Sequence, residues 1–279
     1  MSKSFTLNNG IEIPSIGYGT FRSQEGQDLA ANTKLAIKEG YRSIDTAFIY
    51  KNETSVGQGI REAIEEGIVT REELFITTKV WNDGLSFDET LQAYDDSLKR
   101  LGLDYVDLYL IHWPGQDDHY IEVWKALEKI YAEGRVKAIG VCNFHVRHLE
   151  NLLSQTTVIP AINQIELSPK LTQVTVRKYC ENHSIRVEAW SPLMNGELLD
   201  NDVLTSIAKQ YNKTAAQIIL RWDIQSGIVT IPKSMTPSRI AENLNIFDFE
   251  LSAEHMATID ALNEDFHYGS NPEVFNFGK

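Results

Sequence analysis

β-rich runs alternating with amphipathic helical stretches along 279 residues predict an α/β protein, a single (β/α)8 TIM barrel with an N-terminal β-hairpin closing its bottom. Three observations carry this prediction. Strand-like runs end near Gly19, Asp45, Lys79, His112, Cys142, Glu166, Trp190 and Lys233, with helical periodicity between them. No linker rich in Pro, Gly or Ser divides the chain, so residues 1–279 read as one domain. The competing architecture, a doubly wound open sheet, usually announces a dinucleotide site with GxGxxG after its first strand. Here Gly17-Tyr18-Gly19 runs into Thr20 and Phe21 with no third glycine, and Gly57-Gln58-Gly59 lies inside a helical pattern ending at Glu62.

The elements follow in chain order. Residues 5–7 and 11–13 flank Asn8-Asn9-Gly10, which has hairpin turn chemistry. Leu74-Phe75-Ile76-Thr77-Thr78-Lys79 and Val106-Asp107-Leu108-Tyr109-Leu110-Ile111-His112 are the clearest strands, near-continuously apolar as a buried parallel sheet requires. Leu91, Tyr94, Leu98 and Leu101 recur at helical spacing, as do Val123, Leu127 and Ile130, then Val203, Ile207 and Tyr211. Ser86 with Glu89, and Thr214 with Gln217, form capping boxes that open helices. Thr236 before Pro237 reads as an N-cap followed by a first-turn proline. Two helices are expected between Trp190 and Ile228, one more than strict alternation needs.

Composition narrows the function. Hydrophobic residues make up 42% and aromatics 10%, enough for a packed core and too many for a disordered chain. A net charge of −13 gives no basic face for phosphate backbones, so neither nucleic acid nor an anionic membrane is an expected partner. Two cysteines, Cys142 and Cys180, exclude a disulfide scaffold and a four-thiolate zinc site, and no metal is expected. His145 and His148, three apart, read as solvated helix positions rather than a metal pair. No apolar leader and no run of ~18 apolar residues occur, so the expectation is a soluble cytoplasmic protein.

Barrel enzymes carry their reactive groups at the C-terminal ends of strands. Asp45, Lys79 and His112 end the second, third and fourth predicted barrel strands. Neighbouring strands lie about 4.8 Å apart, so these side chains can converge, and Tyr50 follows Asp45 closely enough to lean over the same mouth. A phenol has a free pKa near ~10, and an adjacent ammonium lowers it. Lys79, oriented by Asp45, is the candidate ammonium; His112 is placed to polarise a carbonyl. The result is a general acid beside a carbonyl, with no metal or nucleophile required. That suits hydride addition to an aldehyde or ketone, with the proton from Tyr50. The same residues also fit a Schiff-base lyase or aldolase that uses Lys79 as an amine. Each taken alone also fits an ordinary salt-bridge or packing position. Phe21, Phe48, Trp81 and Trp113 fall on loops at the same face and, with His112, would line an apolar substrate pocket.

Gly40-Tyr41-Arg42-Ser43-Ile44-Asp45-Thr46-Ala47, with Tyr50-Lys51-Asn52-Glu53, resembles a signature of the aldo-keto reductases. So do Leu110-Ile111-His112-Trp113-Pro114 and Ile231-Pro232-Lys233-Ser234. The resemblance runs from Ile13-Pro14 to Phe247-Asp248-Phe249-Glu250-Leu251 and is strongest to the family's bacterial glyoxal/methylglyoxal reductases and 2,5-diketogluconate reductases. It implies a (β/α)8 barrel, reduction of small aldehydes, ketones and α-oxoaldehydes, an NADPH/NADP+ cofactor and a monomer. It also implies a catalytic tetrad of Asp45, Tyr50, Lys79 and His112 with Tyr50 as proton donor. A third reading within the resemblance is a non-catalytic NADPH-binding module.

The resemblance places Asn143 and Gln164 on the nicotinamide carboxamide and Trp190 against the ring. Ser191, Pro192 and Leu193 would follow the pyrophosphate, with Thr20, Phe21 and Asp45 also near the cofactor. It puts Lys233, Ser234, Met235 and Arg239 at the adenosine 2′-phosphate, and Glu242 and Asn243 near the adenine. Two cations and a hydroxyl around a helix start suit a dianionic phosphate and favour NADPH over NADH. Cys142 stands where many members carry serine, and a thiol is a weaker hydrogen-bonding group. Ser168 stands where relatives often carry histidine and is given no role. The polar tail, residues 266–279, contains Phe275 and Phe277.

Overall fold

The computed structural model describes residues 3–279. β1 (Ser4–Thr6) and β2 (Glu12–Pro14) form the expected antiparallel hairpin, with Phe5 opposite Ile13. Eight parallel strands follow: β3 (Tyr18–Gly19), β4 (Ser43–Asp45), β5 (Phe75–Val80), β6 (Val106–Ile111), β7 (Val136–Cys142), β8 (Ile162–Glu166), β9 (Arg186–Trp190) and β10 (Val229–Thr230). Each pairs with its sequence neighbour, so the order is strictly consecutive from β3 to β10. Every residue of β5 and β6 is buried, as their apolar runs predict. The last strand stops at Thr230 rather than near Lys233, and the proline that follows, Pro232, has no N–H to continue the ladder.

The sheet is curled, and backbone contacts link residues 16–19 to residues 230–232. Ile16 bridges Thr230 in the parallel sense, Gly17 N donates to Thr230 O at 2.9 Å, and Gly19 N donates to Pro232 O at 3.0 Å. The hairpin lies beneath the strand starts. Leu7 and Ile13 are buried with Phe75, Leu108, Ile162 and Val229, and Asn8 Nδ2 reaches Pro160 O at 3.0 Å.

The helices cover the outside. α1 (Gln27–Glu39), α2 (Glu53–Glu65), α3 (Phe87–Leu101), α4 (Tyr120–Ala132), α5 (Val146–Leu153) and α6 (Val174–Asn182) each connect consecutive strands. Between β9 and β10 stand both α7 (Asp202–Tyr211) and α8 (Ala215–Gln225), the predicted extra helix included. Both capping boxes form: Ser86 and Thr214 accept from the backbone N–H of Glu89 and Gln217, and the Glu89 and Gln217 side chains return to the caps. α9 (Pro237–Leu244) begins after Thr236, without a side-chain cap bond, and α10 (Ala253–Asp260) ends the helical part. No helix among the described residues is long and apolar enough to cross a membrane.

The Gly57-Gln58-Gly59 segment sits inside α2, and its glycines serve packing. A Cβ at Gly57 would lie 1.9 Å from Leu101 O on α3, and one at Gly59 would lie 2.4 Å from Ala30 O on α1. Only hydrogen leaves room for these helices to touch.

One buried acid gives the fold a pH dependence. Asp223 on α8 is fully buried, accepts from Thr230 Oγ1 at 2.7 Å, and has no partner for Oδ1 among the described residues. Burial pushes its carboxyl up to about 8, against the pull of the Thr230 hydrogen bond and Arg177. The unfolded carboxyl ionises near ~4. Between these values the unfolded state has lost a proton that the folded state keeps, so stability falls as pH rises from about 4 to about 8. Asp223→Asn is expected to flatten this part of the profile. The loss it removes is on the order of 5 kcal/mol, read by urea unfolding across that pH range. A variant whose stability tracks the parent's at every pH would refute the assignment.

Candidate active site

The loop after β4 carries the key phenol, and a knot of side chains fixes its path. Asp45 O accepts from Thr20 N at 3.1 Å and from Thr20 Oγ1 at 2.9 Å. Thr46 N donates to Thr77 O on β5 at 3.0 Å, and Thr46 Oγ1 donates to Asn52 Oδ1 at 2.7 Å. Asn52 Nδ2 in turn donates to Thr20 O and Ser23 O, at 3.0 and 3.1 Å. A single 3-10 turn, Phe48–Tyr50, bends Tyr50 back over the strand ends.

The structure brings Asp45, Tyr50, Lys79 and His112 together. Lys79, fully buried, donates from Nζ to Asp45 Oδ1 at 2.6 Å, to Thr46 O at 3.0 Å and to Tyr50 Oη at 3.3 Å. The rings of Tyr50 and His112 meet edge-on, with centroids 5.6 Å apart. Burial drives the Lys79 ammonium towards its neutral form. The charge of Asp45, followed by Tyr50, more than offsets this, and its pKa ends raised. Lys79 is therefore held charged and hydrogen-bonded, which disfavours it as an amine nucleophile. Burial, then the Lys79 charge, pushes His112 well below the usual imidazole range, so it is neutral and able to donate one N–H.

The acidity expected of Tyr50 needs correction. Burial raises its pKa above the usual phenol value, and the Lys79 ammonium only partly opposes that rise. Sequence reasoning included the neighbouring ammonium and left out the cost of burying a phenolate. Tyr50 is thus a protonated donor whose conjugate base Lys79 can stabilise.

Around this group stands an aromatic wall. Phe21 lies 5.0 Å from the Tyr50 ring and Trp81 lies 5.5 Å from His112, centroid to centroid. Phe21 and Phe48 are about half exposed, whereas Trp113 is buried. The tail supplies aromatic rings that the sequence left unplaced. Phe275 stacks on Trp113 at 4.0 Å, and Phe277 packs edge-on against Trp81 at 5.3 Å. Glu166 Oε1, at the end of β8, anchors the tail by accepting from Tyr268 N at 2.8 Å and Gly269 N at 3.0 Å.

The residues expected at the nicotinamide also converge. Asn143, in the left-handed region at φ 66°, donates from Nδ2 to His112 O at 3.0 Å and accepts at Oδ1 from Trp190 Nε1 at 2.8 Å. Gln164 Nε2 donates to Asp45 Oδ2 at 2.9 Å and to Glu188 Oε2 at 2.7 Å, and its Oε1 faces Cys142 Sγ at 3.4 Å. Ser191, Pro192 and Leu193 follow Trp190 into a 3-10 turn, Met194–Gly196. At the other end, Tyr18 Oη donates to Ser234 O at 2.8 Å and touches Met235. Lys233 and Arg239 are exposed and make no ion pair with any described residue. These two uncompensated cations at the start of α9 fit a dianionic phosphate. Asn243 is buried, and Glu242 accepts from Thr214 Oγ1 at 2.9 Å.

His145 and His148 are not solvated. His148 is buried, and its Nδ1 accepts from His145 N at 3.0 Å, which caps α5; the His145 ring faces Glu273 of the tail at 2.7 Å. Sequence reasoning missed Glu188 and Arg22, and it noted the tail rings Phe275 and Phe277 without placing them. The signal for Glu188 was an acid two residues before Trp190 in a strand, hence on the same side of it. Arg22, next to Phe21, places its guanidinium 5.3 Å from that ring and 5.9 Å from Tyr268. Two clefts beside the hairpin, one lined by Thr6, Arg177 and Arg186 and one by Glu12, Arg42 and Asp107, contain none of these residues.

A parallel strand–helix alternation carrying a protonated phenol, a buried ammonium and a neutral imidazole at its strand ends is equipped for acid-assisted carbonyl chemistry. The chain belongs to the aldo/keto reductase family, whose family model matches residues 15–264. It is 56% identical over 271 residues to glyoxal reductase of Bacillus subtilis, covering 97% of this chain and 96% of that protein. It is 45% identical over 272 residues to methylglyoxal reductase DkgA of Escherichia coli K12, covering 96% of each. Among solved structures, an aldo-keto reductase of Bombyx mori in complex with NADP superposes with a TM-score of 0.90 at 39% identity, covering 97% of this chain and 95% of that one.

Proposed function

We propose that this chain reduces small aldehydes, ketones and α-oxoaldehydes such as glyoxal and methylglyoxal to alcohols, using NADPH and the proton of Tyr50. The observation that carries the assignment of roles is the contact of Tyr50 Oη with Lys79 Nζ at 3.3 Å beside the neutral His112. The glyoxal and methylglyoxal reductases among its relatives support the substrate class. The hydrogen bonds joining residues 15–19 to 230–232 support reading the curled sheet as a closed (β/α)8 barrel, one domain over residues 1–279.

When bound, NADPH supplies the hydride. Lys233, Ser234 and Arg239 would hold its 2′-phosphate, Asn143 and Gln164 its carboxamide, and Trp190 its ring. The carboxyls of Asp45 and Glu188 take both N–H groups of Gln164, so Gln164 would meet the carboxamide through its amide oxygen. His112 donates an N–H to the carbonyl oxygen and orients it towards Tyr50. Tyr50 Oη passes its proton to the developing alkoxide, and the Lys79 ammonium stabilises the phenolate left behind. Asp45 keeps that ammonium charged and in place. The wall of Phe21, Trp81 and Trp113, with Phe275 over it, would exclude water and accept small apolar groups, whereas the half-exposed Phe48 ring packs under the Arg100 guanidinium of α3.

The test is oxidation of NADPH and of NADH against a panel of carbonyls, in the parent and in Lys233→Ala/Arg239→Ala. The parent is expected to turn over methylglyoxal with NADPH. The double variant should raise KM for NADPH by about tenfold or more, the scale of two lost charge-assisted contacts, and leave KM for NADH nearly unchanged. No turnover of any carbonyl with either nucleotide would overturn the reading.

A further inference from the structure

Glu188 is an acid inside the sheet that has so far been given no part in the proton transfer. It is 1% exposed, and its Oε2 accepts from Gln164 Nε2 at 2.7 Å. That same nitrogen donates to Asp45 Oδ2 at 2.9 Å, and the other oxygen of Asp45 accepts from Lys79 Nζ at 2.6 Å. Lys79 Nζ reaches Tyr50 Oη at 3.3 Å. One continuous chain thus runs from β9 through β8, β4 and β5 to the phenol. A carboxylate can only accept, so Asp45 requires the NH2 side of Gln164, and that NH2 has two hydrogens. Asp45 takes one and Glu188 the other. The opposite side of the amide, Oε1, faces the Cys142 thiol at 3.4 Å.

We propose that Glu188 is a positioning residue of the reduction: its carboxyl locks the Gln164 amide, which holds the Asp45–Lys79–Tyr50 chain in register, and its charge sets how readily Tyr50 releases its proton. The charged and titratable groups facing it are Asp45 on β4, Lys79 on β5 and Cys142 on β7. With Glu188 protonated, Lys79 and Asp45 balance each other. With Glu188 ionised, the buried group carries one uncompensated negative charge, which opposes formation of the Tyr50 phenolate. Burial, reinforced by the Asp45 charge, pushes the Glu188 carboxyl up to about 7, so the change of state falls near neutral pH. Gln164, which the proposed function places at the carboxamide, is thereby tied to the proton donor through the same acid.

The inference rests on Tyr50 as the proton donor. The test compares parent, Glu188→Gln and Glu188→Asp as full-length protein. The first readout is the single-turnover rate of NADPH oxidation with benzaldehyde as a function of pH. That rate falls at alkaline pH where Tyr50 loses its proton. Above neutral pH the parent's ionised Glu188 holds the phenol's proton on, so Glu188→Gln should move the midpoint of the fall down by about one unit, the size of one charge acting over about 10 Å at an effective dielectric constant of ~20. Glu188→Asp, which restores a carboxyl, should return the midpoint towards the parent's. An unchanged midpoint in Glu188→Gln, or an Asp variant that matches Gln, would overturn the proposal.

The second readout is thermal unfolding without cofactor. The folded carboxyl keeps its proton up to about pH 7, whereas the unfolded one ionises near ~4.5, so the parent loses stability across that window. Glu188→Gln should lose less over the same range, and a Gln variant whose unfolding temperature parallels the parent's would also overturn the proposal. A parent that oxidises no NADPH with any carbonyl would instead end the proposed function, while the unfolding series would still report on Glu188.

Discussion

Tyr50→Phe is expected to lower carbonyl reduction by about 10²- to 10⁴-fold, the usual contribution of a positioned general acid, while leaving the affinity for NADPH nearly unchanged. The substitution removes one oxygen. The ring would keep its contacts with Phe21 and His112, so the aromatic wall survives. What disappears is the proton aimed at the carbonyl oxygen and the group that Lys79 stabilises as it ionises. Single-turnover NADPH oxidation measures the first effect, and a fluorescence titration with NADPH measures the second. A phenylalanine variant that reduces methylglyoxal at the parental rate would remove Tyr50 from the chemistry.

Lys79→Met should cost both activity and stability. Lys79 and Asp45 form a buried ion pair at 2.6 Å, with side-chain exposures of 0% and 4%. Removing one partner leaves a buried charge without compensation, which typically costs about 3–5 kcal/mol. Turnover should fall together with it, because the ammonium that stabilises the Tyr50 phenolate has gone. Adding Asp45→Asn separates the two losses. The double variant should recover much of the stability in urea unfolding below pH 7, where Glu188 keeps its proton and no uncompensated charge remains, yet stay inactive. Recovery of activity along with stability would show that Lys79 acts only as a structural partner.

Much of this site was legible because it depends on strand ends. Asp45, Lys79 and His112 fall within one residue of the ends of β4, β5 and β6, and consecutive parallel strands place their ends side by side whatever the details of twist. The apolar runs and the two capping boxes were equally local, and they appear where the sequence places them. Features that depend on what lies across the sheet were not legible. Glu188 and Asp45 share one amide although 143 positions of sequence separate them, and Gln164 lies 119 residues from Asp45. No periodicity reports such a meeting. His148 was misread for a related reason: the helical pattern gives one face of α5, while the Tyr120 and Phe144 rings that pack on His148 lie outside that helix. The direction of the Tyr50 shift failed because desolvation belongs to the whole environment and cannot be assigned from one neighbour.

The stacking of Phe275 on Trp113 and of Phe277 against Trp81 divides responsibility along the chain. In the proposed reduction, bond-making rests on Tyr50, Lys79 and His112 beside buried strand ends, whereas part of the aromatic wall belongs to a short irregular stretch near the carboxyl end. Exchanging bulky for slender side chains at those two positions would enlarge the space offered to a guest without disturbing the acid or its ammonium.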